Sequence, residues 1–217
     1  MKVGIPSSYL YWLYPDRPCA YDHYLYLSGL SPAELELLKD GFVTFAKRVT
    51  MRDPRRLILK SPTHTARVKT LLELFPQAKF IHLVRDPPVI IHSPILTWRR
   101  LGEVAGITSQ IRDDLPEYVL ENFRRMDAAF ESQRDLIPSE NFFATRYEDL
   151  TANMITTVQQ MYSHLGLGDF SAIRPHLEQY VEQQQGYRRN KFEPDAELRD
   201  RIAQSCNEYC QRYGYEG

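Results

Sequence analysis

The sequence predicts an α/β fold with a parallel β-sheet. Three short segments are predicted as strands, at residues 57–59, 80–84 and 141–147. The segment 80–84 is apolar without alternation, which is typical of a parallel strand that is covered on both faces. Segments with helical spacing of apolar residues separate the three strands. Strands that alternate with helices favour parallel pairing, because a helical crossover returns the chain to the sheet in the same direction.

The helices are predicted from capping signals and apolar spacing. Ser31 is a predicted N-cap, because a proline follows it and Glu34 stands three residues further on. The first helix begins there, and the others are predicted over residues 63–74, 88–100, 116–134, 151–165, 171–183 and 195–214. Residues 1–30 are rich in aromatic residues and proline, and we expect an irregular surface segment.

The composition limits the class of protein. A chain of 217 residues with 43% hydrophobic and 25% charged residues is predicted to be one globular domain over residues 1–217. A formal net charge of −1 predicts neither nucleic acid nor a membrane surface as a partner. The odd, sparse set of three cysteines argues against a disulfide framework and favours a reducing, cytoplasmic location. We predict no metal site, and no apolar run reaches the length of a membrane span.

A basic residue stands at the end of each predicted strand. Lys60 follows the first strand, Arg85 follows the second, and Arg146 lies near the end of the third. Because the carboxyl ends of parallel strands lie at one edge of a sheet, we expect these three cations along one rim. Such a local cluster in a nearly neutral chain predicts a site for a polyanionic ligand. Ser93, eight residues past Arg85 in the next helix, adds a hydroxyl that suits a phosphate.

Three motifs, in this order, resemble a known family. They are Leu-Ile-Leu-Lys-Ser-Pro-Thr-His at 57–64, Phe-Pro-Gln-Ala-Lys-Phe-Ile-His-Leu-Val-Arg-Asp-Pro at 75–87 with Ser93, and Arg-Tyr-Glu-Asp-Leu at 146–150. The combination resembles the sulfotransferases that use 3′-phosphoadenosine 5′-phosphosulfate (PAPS), over roughly residues 30–215. It implies a P-loop-NTPase-like, three-layer αβα fold. It also implies metal-free transfer of a sulfonate group from PAPS to a hydroxyl or amine on a small molecule or glycan.

The resemblance implies a role for each candidate site residue. Arg85 and Ser93 match the residues that bind the 3′-phosphate of the donor. Lys60 matches a lysine close to the transferred sulfonate, where its charge would stabilise the bridging oxygen. His64 is a candidate general base, because its ordinary pKa lies near neutrality. The late basic loop that lies over the nucleotide is matched by Tyr187, Arg188 and Arg189.

The same residues have ordinary structural alternatives. Arg85 would form a salt bridge with Asp86 or Glu148, and Lys60 would be a solvated lysine at a strand end. His64 would make a structural hydrogen bond at a helix N-terminus. The basic loop at 187–190 would be a solvated run of charges. A structural role is expected for the segment after the third strand, in which Glu148 or Asp149 caps the next helix.

The glycine- and hydroxyl-rich loop that holds the 5′-phosphosulfate in the family has only a weak counterpart, Val-Gly-Ile-Pro-Ser-Ser at 3–8. We therefore expect a chain without the first, loop-bearing strand. Its open sheet edge would be covered by a second copy or another partner, and transfer by the isolated chain would be weak. One alternative is a non-catalytic remnant that binds nucleotide or a partner. Another is a P-loop kinase relative, which the lack of a G-x-x-x-x-G-K-[ST] run disfavours.

Overall fold

The computed structural model describes residues 16, 22–106, 111–184, 186 and 194–215. The basic loop with Tyr187, Arg188 and Arg189 lies outside these residues, as does most of the aromatic N-terminal segment. The roles predicted for those residues therefore stay predictions.

Residue contacts divide the chain into two compact units. The first unit comprises residues 1–76 and 94–134, and the second comprises residues 77–93 and 135–217. One boundary falls inside the helix Pro87–Ala105, immediately before Pro94, which has no N–H to donate within the helix. The organisation as a single domain stays a prediction.

The described part of the chain is mostly helical and contains two strands. The strands are β1, Phe80–Val84, and β2, Phe142–Arg146. The α-helices in chain order are α1 His23–Tyr26, α2 Pro32–Arg52, α3 Val68–Leu74, α4 Pro87–Ala105, α5 Leu115–Glu131, α6 Tyr147–Ala152, α7 Met154–Leu165, α8 Arg174–Gln183, α9 Ala196–Ser205 and α10 Asn207–Tyr213. Short 3-10 helices are formed by Pro62–Ala66, Arg134–Leu136, Ser139–Asn141 and Phe170–Ala172.

The second unit contains the sheet and confirms the predicted α/β fold with parallel strands. β1 and β2 pair in parallel with Phe80 opposite Phe142 and Val84 opposite Arg146. Side chains alternate between the two faces of a strand, so His82 and Phe143 point to opposite faces. The His82 ring contacts Tyr213 of α10 at 5.8 Å, and the Phe143 ring contacts His164 of α7 at 6.0 Å. Helices therefore lie on both faces of the sheet, which gives this unit three αβα layers, although the face with Phe143 and Ile81 is covered only in part.

Among the described residues of the first unit, the only regular secondary structure is helical, so the strand predicted at residues 57–59 is wrong. Residues 57–59 have no regular secondary structure, and the Ile58 side chain is 91% exposed. A three-residue apolar segment needs a neighbouring strand to satisfy its backbone groups, and the described residues supply none. The capping box of α2 is confirmed: the Ser31 hydroxyl accepts from the Glu34 N–H, and the Glu34 carboxylate accepts from the Ser31 N–H at 2.8 Å.

Three predicted helices are broken once each. The helix predicted over 63–74 is a 3-10 helix followed by α3, with the break at Arg67. The helix predicted over 151–165 is preceded by α6, and Asn153 separates α6 from α7. Cys206 divides the last helix into α9 and α10. Asn153 fits such a break, because asparagine loses little by leaving the helical conformation.

Both units contain fully buried side chains. Side chains at most 1% exposed are Ile91, Leu165 and Ile202 in the second unit and Val68, Ile95 and Leu115 in the first. Helix α2 of the first unit, however, has no fully buried residue and exposes Phe45. Apolar exposure also occurs on the sheet, where the side chains of Ile81 and Leu83 are 47% and 45% exposed.

Among the described residues, no helix combines the length and hydrophobicity needed to cross a membrane.

Candidate functional site

Arg85 lies between the carboxyl end of β1 and the start of α4, and its main chain is held by a tyrosine from α10. The Arg85 N–H donates to the Tyr209 hydroxyl at 3.2 Å, and that hydroxyl donates to the Arg85 carbonyl at 3.1 Å. The Tyr209 side chain is buried, with 5% of its surface exposed. The main chain at Arg85 is therefore fixed on both its donor and its acceptor side.

The guanidinium group of Arg85 packs on an aromatic ring rather than on a carboxylate. Its central carbon lies 4.3 Å from the centroid of the Tyr147 ring. No salt bridge joins Arg85 to Asp86, Glu148 or any other described carboxylate, so the structural alternative of such a pair is wrong. The Arg85 Nε is buried and has no hydrogen-bond partner among the described residues. A guanidinium with unused donors and a fixed plane is suited to a phosphate.

Tyr147 is the first residue of α6, and its neighbours are fixed by the end of the described chain. Glu148 accepts a hydrogen bond from the Tyr215 hydroxyl at 2.8 Å. The Arg146 guanidinium lies 4.3 Å from the Tyr215 ring centroid and donates to the Gly214 carbonyl at 3.1 Å. The prediction that Glu148 or Asp149 caps the next helix is wrong, because both lie inside α6 and the N-cap position of α7 is occupied by Asn153. Arg146 and Glu148, on either side of Tyr147, are thus attached to Gly214 and Tyr215, which directly follow α10.

Asp86, the acidic neighbour of Arg85, has a carboxyl whose pKa is shifted upward. Burial raises the pKa of the Asp86 carboxyl, and the negative charge of Glu148 raises it further, while Arg146 and Arg85 oppose the shift. Burial also raises the pKa of the Cys210 thiol, with a smaller contribution from Asp86. Neither thiol of the C-terminal segment is paired in a disulfide, since Cys206 and Cys210 are both free and buried.

Ser93 lies in α4, in the same unit as Arg85. It is partly buried and is the seventh residue of the helix, which places it about 9 Å along the axis from the helix start. The predicted contact of Ser93 with a phosphate stays a proposal.

Lys60 is exposed, and no hydrogen bond or salt bridge joins it to another described residue. The expectation that placed it on the sheet rim assumed a strand at 57–59. Since that segment is not a strand, the strand-end argument no longer applies to Lys60, although it still holds for Arg85 and Arg146, which lie at the ends of paired strands.

His64 has a defined environment within the first unit. Its ring lies edge-on to Phe42 at 5.7 Å, and its Nδ1 is buried without a hydrogen-bond partner among the described residues. Burial lowers the pKa of His64, and the positive charge of Arg67 lowers it further. The Arg67 guanidinium is in turn held by the carbonyl oxygens of Tyr24 and Leu25. The imidazole is therefore neutral at neutral pH and able to accept a proton.

A cavity of about 420 Å³ opens beside Tyr147 in the second unit. Its lining is mixed in polarity and comprises Tyr147, Thr151, Ala152, Asn153, Met154, Ile155, Thr156, Tyr180, Val181 and Gln184. Sequence reasoning did not identify this cavity or the contact of Tyr209 with Arg85. Tyr209 and Tyr213 have helical spacing in the sequence, but nothing in that spacing indicates which distant residue they contact.

Comparison with known proteins places these residues in a family. A sulfotransferase family model matches residues 20–171. The chain is 38% identical over 213 residues to the omega-hydroxy-beta-dihydromenaquinone-9 sulfotransferase Stf3 of Mycobacterium bovis, and equally to that of Mycobacterium tuberculosis. The match covers 98% of this chain and 55% of each relative, so the chain spans about half the length of the curated relatives it matches.

The fold agrees with this assignment. The crystal structure of sulfotransferase STF9 from Mycobacterium avium is similar with a TM-score of 0.71 and 19% identity, over 91% of this chain and 50% of that one. The family model spans the segments that carry Lys60, His64, Arg85 and Ser93. With that match and the 38% identity to the mycobacterial relatives, the chain belongs to the sulfotransferase family.

Proposed function

We propose that this chain takes part in the transfer of a sulfonate group from PAPS to a hydroxyl or amine acceptor. One observation carries the proposal: Arg85 has a fixed main chain at the end of a parallel strand and a guanidinium with no carboxylate partner among the described residues. Such an arginine fits the doubly charged 3′-phosphate, which distinguishes PAPS from most other nucleotides. Membership of the sulfotransferase family supports the choice of donor.

The residues divide into a binding set and a reacting set. In the proposal, Arg85 and Ser93 hold the 3′-phosphate of the donor, and the late loop with Tyr187, Arg188 and Arg189 lies over the nucleotide. The match of these residues to the family motifs supports their roles. Arg85 stands just before α4, and Ser93 is the seventh residue of that helix.

The reacting set is Lys60 and His64. As the acceptor oxygen bonds to the sulfur, the sulfur–oxygen bond to the bridging phosphate oxygen breaks and adenosine 3′,5′-bisphosphate leaves. His64 takes the acceptor proton, a role that its lowered pKa and neutral imidazole support. The charge of Lys60 stabilises the negative charge on the bridging oxygen. No metal is needed for this step.

The acceptor we propose is a hydroxylated apolar molecule. The relatives that are 38% identical over 98% of this chain are named for an omega-hydroxylated dihydromenaquinone. A hydroxylated dihydromenaquinone is accordingly the first acceptor to test, before other small molecules or glycans. We also propose a cytoplasmic location, which the two buried free thiols, Cys206 and Cys210, support.

A second candidate function is nucleotide binding without transfer. The observation that favours it is the exposed Lys60, which has no polar contact with the described residues and follows a segment that is not a strand. A lysine without a fixed position contributes little to stabilising a transition state, because its ordering must occur during the reaction.

Isothermal titration tests the donor assignment. The chain is titrated with adenosine 3′,5′-bisphosphate and with ATP, and we expect preference for the bisphosphate. Arg85→Ala should lower the bisphosphate affinity by about tenfold or more, since hydrogen bonds to charged groups are each worth about 1.5–3 kcal/mol. Arg199→Ala is the matched control, because Arg199 is exposed and has no polar contact with another described residue. Equal affinity for both nucleotides would contradict the proposal.

Transfer of labelled sulfonate from PAPS to the hydroxylated quinone then separates the two candidates. Turnover that falls in Lys60→Ala and His64→Gln supports the enzyme. Binding of the bisphosphate without turnover, in the presence of acceptor, favours the binding function instead.

A further inference from the structure

We propose that Tyr209 is a positioning residue for Arg85, so that the C-terminal helix α10 sets the geometry of the 3′-phosphate site. The inference rests on the proposed function and goes beyond it, because neither the family motifs nor the strand-end argument involves Tyr209. It is carried by the paired hydrogen bonds between the Tyr209 hydroxyl and the main chain of Arg85.

The first step of the argument is the kind of contact. Tyr209 binds both polar main-chain groups of a single residue, at 3.2 Å and 3.1 Å, across 124 positions of sequence. Arg85 follows the last residue of β1 and stands two residues before α4, so neither element holds it alone. A small rotation of the main chain at such a junction moves the end of a long side chain by several ångströms. The Tyr209 hydroxyl restrains that rotation.

The second step is the rigidity of Tyr209 itself. Its ring lies 4.7 Å from the Tyr213 ring and is parallel, within 7°, to the Tyr215 ring at 6.2 Å. The phenol of Tyr209 is buried, so its direction is determined by this aromatic packing. A hydroxyl on a locked ring restrains its partner more strongly than one on a mobile side chain.

The third step is convergence on the same arginine from the other side. Tyr215 stacks on Tyr209 and donates to Glu148, the residue next to Tyr147. Tyr147 carries the ring under the Arg85 guanidinium. The tyrosines of the C-terminal segment thus fix both members of the Arg85–Tyr147 pair. Because the Tyr209 hydroxyl uses both its donor and an acceptor position on Arg85, its role is to position that residue rather than to bind ligand.

The test removes only the hydroxyl. Tyr209→Phe keeps the ring and its packing, and Tyr162→Phe is the matched control, since Tyr162 lies in α7 of the same unit and its ring packs on Phe170. We expect Tyr209→Phe to bind adenosine 3′,5′-bisphosphate about tenfold more weakly, because part of the binding free energy must then order the Arg85 main chain that these two hydrogen bonds hold. Affinity for adenosine 5′-phosphate should be unchanged, as should both affinities in Tyr162→Phe.

A double-mutant cycle distinguishes positioning from general damage. In an Arg85→Ala background, Tyr209→Phe should cause no further loss of bisphosphate affinity, because there is no guanidinium left to position. A further tenfold loss of bisphosphate affinity in the double variant would overturn the inference. So would a Tyr209→Phe variant that loses affinity equally for adenosine 3′,5′-bisphosphate and adenosine 5′-phosphate.

Hydrogen exchange keeps the inference testable if the donor assignment fails. If the unmodified chain binds adenosine 3′,5′-bisphosphate and ATP equally, the proposed function is wrong. The exchange rate of the Arg85 amide then tests by itself whether Tyr209 positions Arg85. We expect that amide to exchange about tenfold faster in Tyr209→Phe and at an unchanged rate in Tyr162→Phe. Unchanged exchange in Tyr209→Phe would overturn the inference.

Discussion

The two units hold their basic residues in different ways. In the second unit, Arg85 follows a strand that is paired along its whole length, and it is fixed by Tyr209 and Tyr147. In the first unit, Lys60 follows an apolar segment that pairs with no described strand, and it is exposed without a polar contact to the described residues. A residue at a strand end is positioned only when that strand belongs to a sheet. The motif alone does not position it.

The same contrast applies to proton chemistry. The His64 ring packs edge-on against Phe42 of its own unit without any strand, and burial and the charge of Arg67 lower its pKa. The first unit therefore holds its histidine in a defined environment but leaves Lys60 without a defined position. The second unit holds Arg85 in a defined position. Because of this difference, we expect this chain to bind the nucleotide with measurable affinity while its rate of sulfonate transfer is low.

The largest expected effect comes from a matched pair of isoleucines. Ile91→Ala in α4 removes a side chain that is fully buried, and we expect it to lower the free energy of unfolding by about 2–5 kcal/mol. Ile58→Ala removes a side chain that is 91% exposed and should change that free energy by about 0.5 kcal/mol or less. Urea denaturation measures both. Equal destabilisation would mean that residues 57–59 are packed, and the contrast between the units would be lost.

A smaller effect is expected for the ring under Arg85. Tyr147→Leu should weaken bisphosphate binding about fivefold, because a cation–π contact is worth about 1 kcal/mol. Tyr147→Phe retains the aromatic face and should bind almost normally. Titration of both variants decides whether the ring or the hydroxyl matters. Equal losses in Leu and Phe would show that Arg85 does not depend on the ring.

Removal of a helix N-cap is expected to change stability by a similarly small free energy. Asp195 caps α9, which buries Leu198 and Ile202, whereas Ser31 caps α2, which has no fully buried residue. Asp195→Ala should lower the global free energy of unfolding by about 1 kcal/mol. Ser31→Ala should instead speed amide exchange in the first turn of α2, with little global change. Reversed results would indicate that α2 is packed more firmly than α9.

The smallest expected effects are on the pH dependence of the free energy of unfolding. The contributions of His64 in the first unit and Asp86 in the second change with pH in opposite directions. The folded-state pKa of His64 lies below 6.5, so its contribution to stability is present above pH 6.5 and is lost as the pH falls through the folded value. The folded-state pKa of Asp86 lies above 3.8, so its contribution is complete below pH 3.8 and is lost as the pH rises through the raised value.

An NMR titration measures this contrast directly. The His64 ring should titrate below 6.5, and Arg67→Gln should move its pKa upward, because one of its two causes is the charge of Arg67. The Asp86 carboxyl should titrate above 3.8. A His64 pKa at or above 6.5 would contradict the lowering of that pKa by burial and by Arg67.

The capping box of Ser31 and Glu34 is present as predicted, because it depends only on residues three positions apart. β1 is found at the predicted residues 80–84, because β2 is available to pair with it. The segment 57–59 failed because a strand requires a partner, and an apolar run does not reveal whether one is available. Arg85 itself was predicted from its place at a strand end, but its contact with Tyr209 spans 124 positions. Contacts at that separation depend on the packing of whole helices.

The central claim is that Arg85 binds the 3′-phosphate, and its own side-chain resonance tests this most directly. The Arg85 Nε–H is buried without an acceptor among the described residues, so its NMR signal reports any change at the guanidinium. Adenosine 3′,5′-bisphosphate should shift that signal in a saturable way, and adenosine 5′-phosphate should not. A signal that neither nucleotide moves, or that both move equally, would contradict the account.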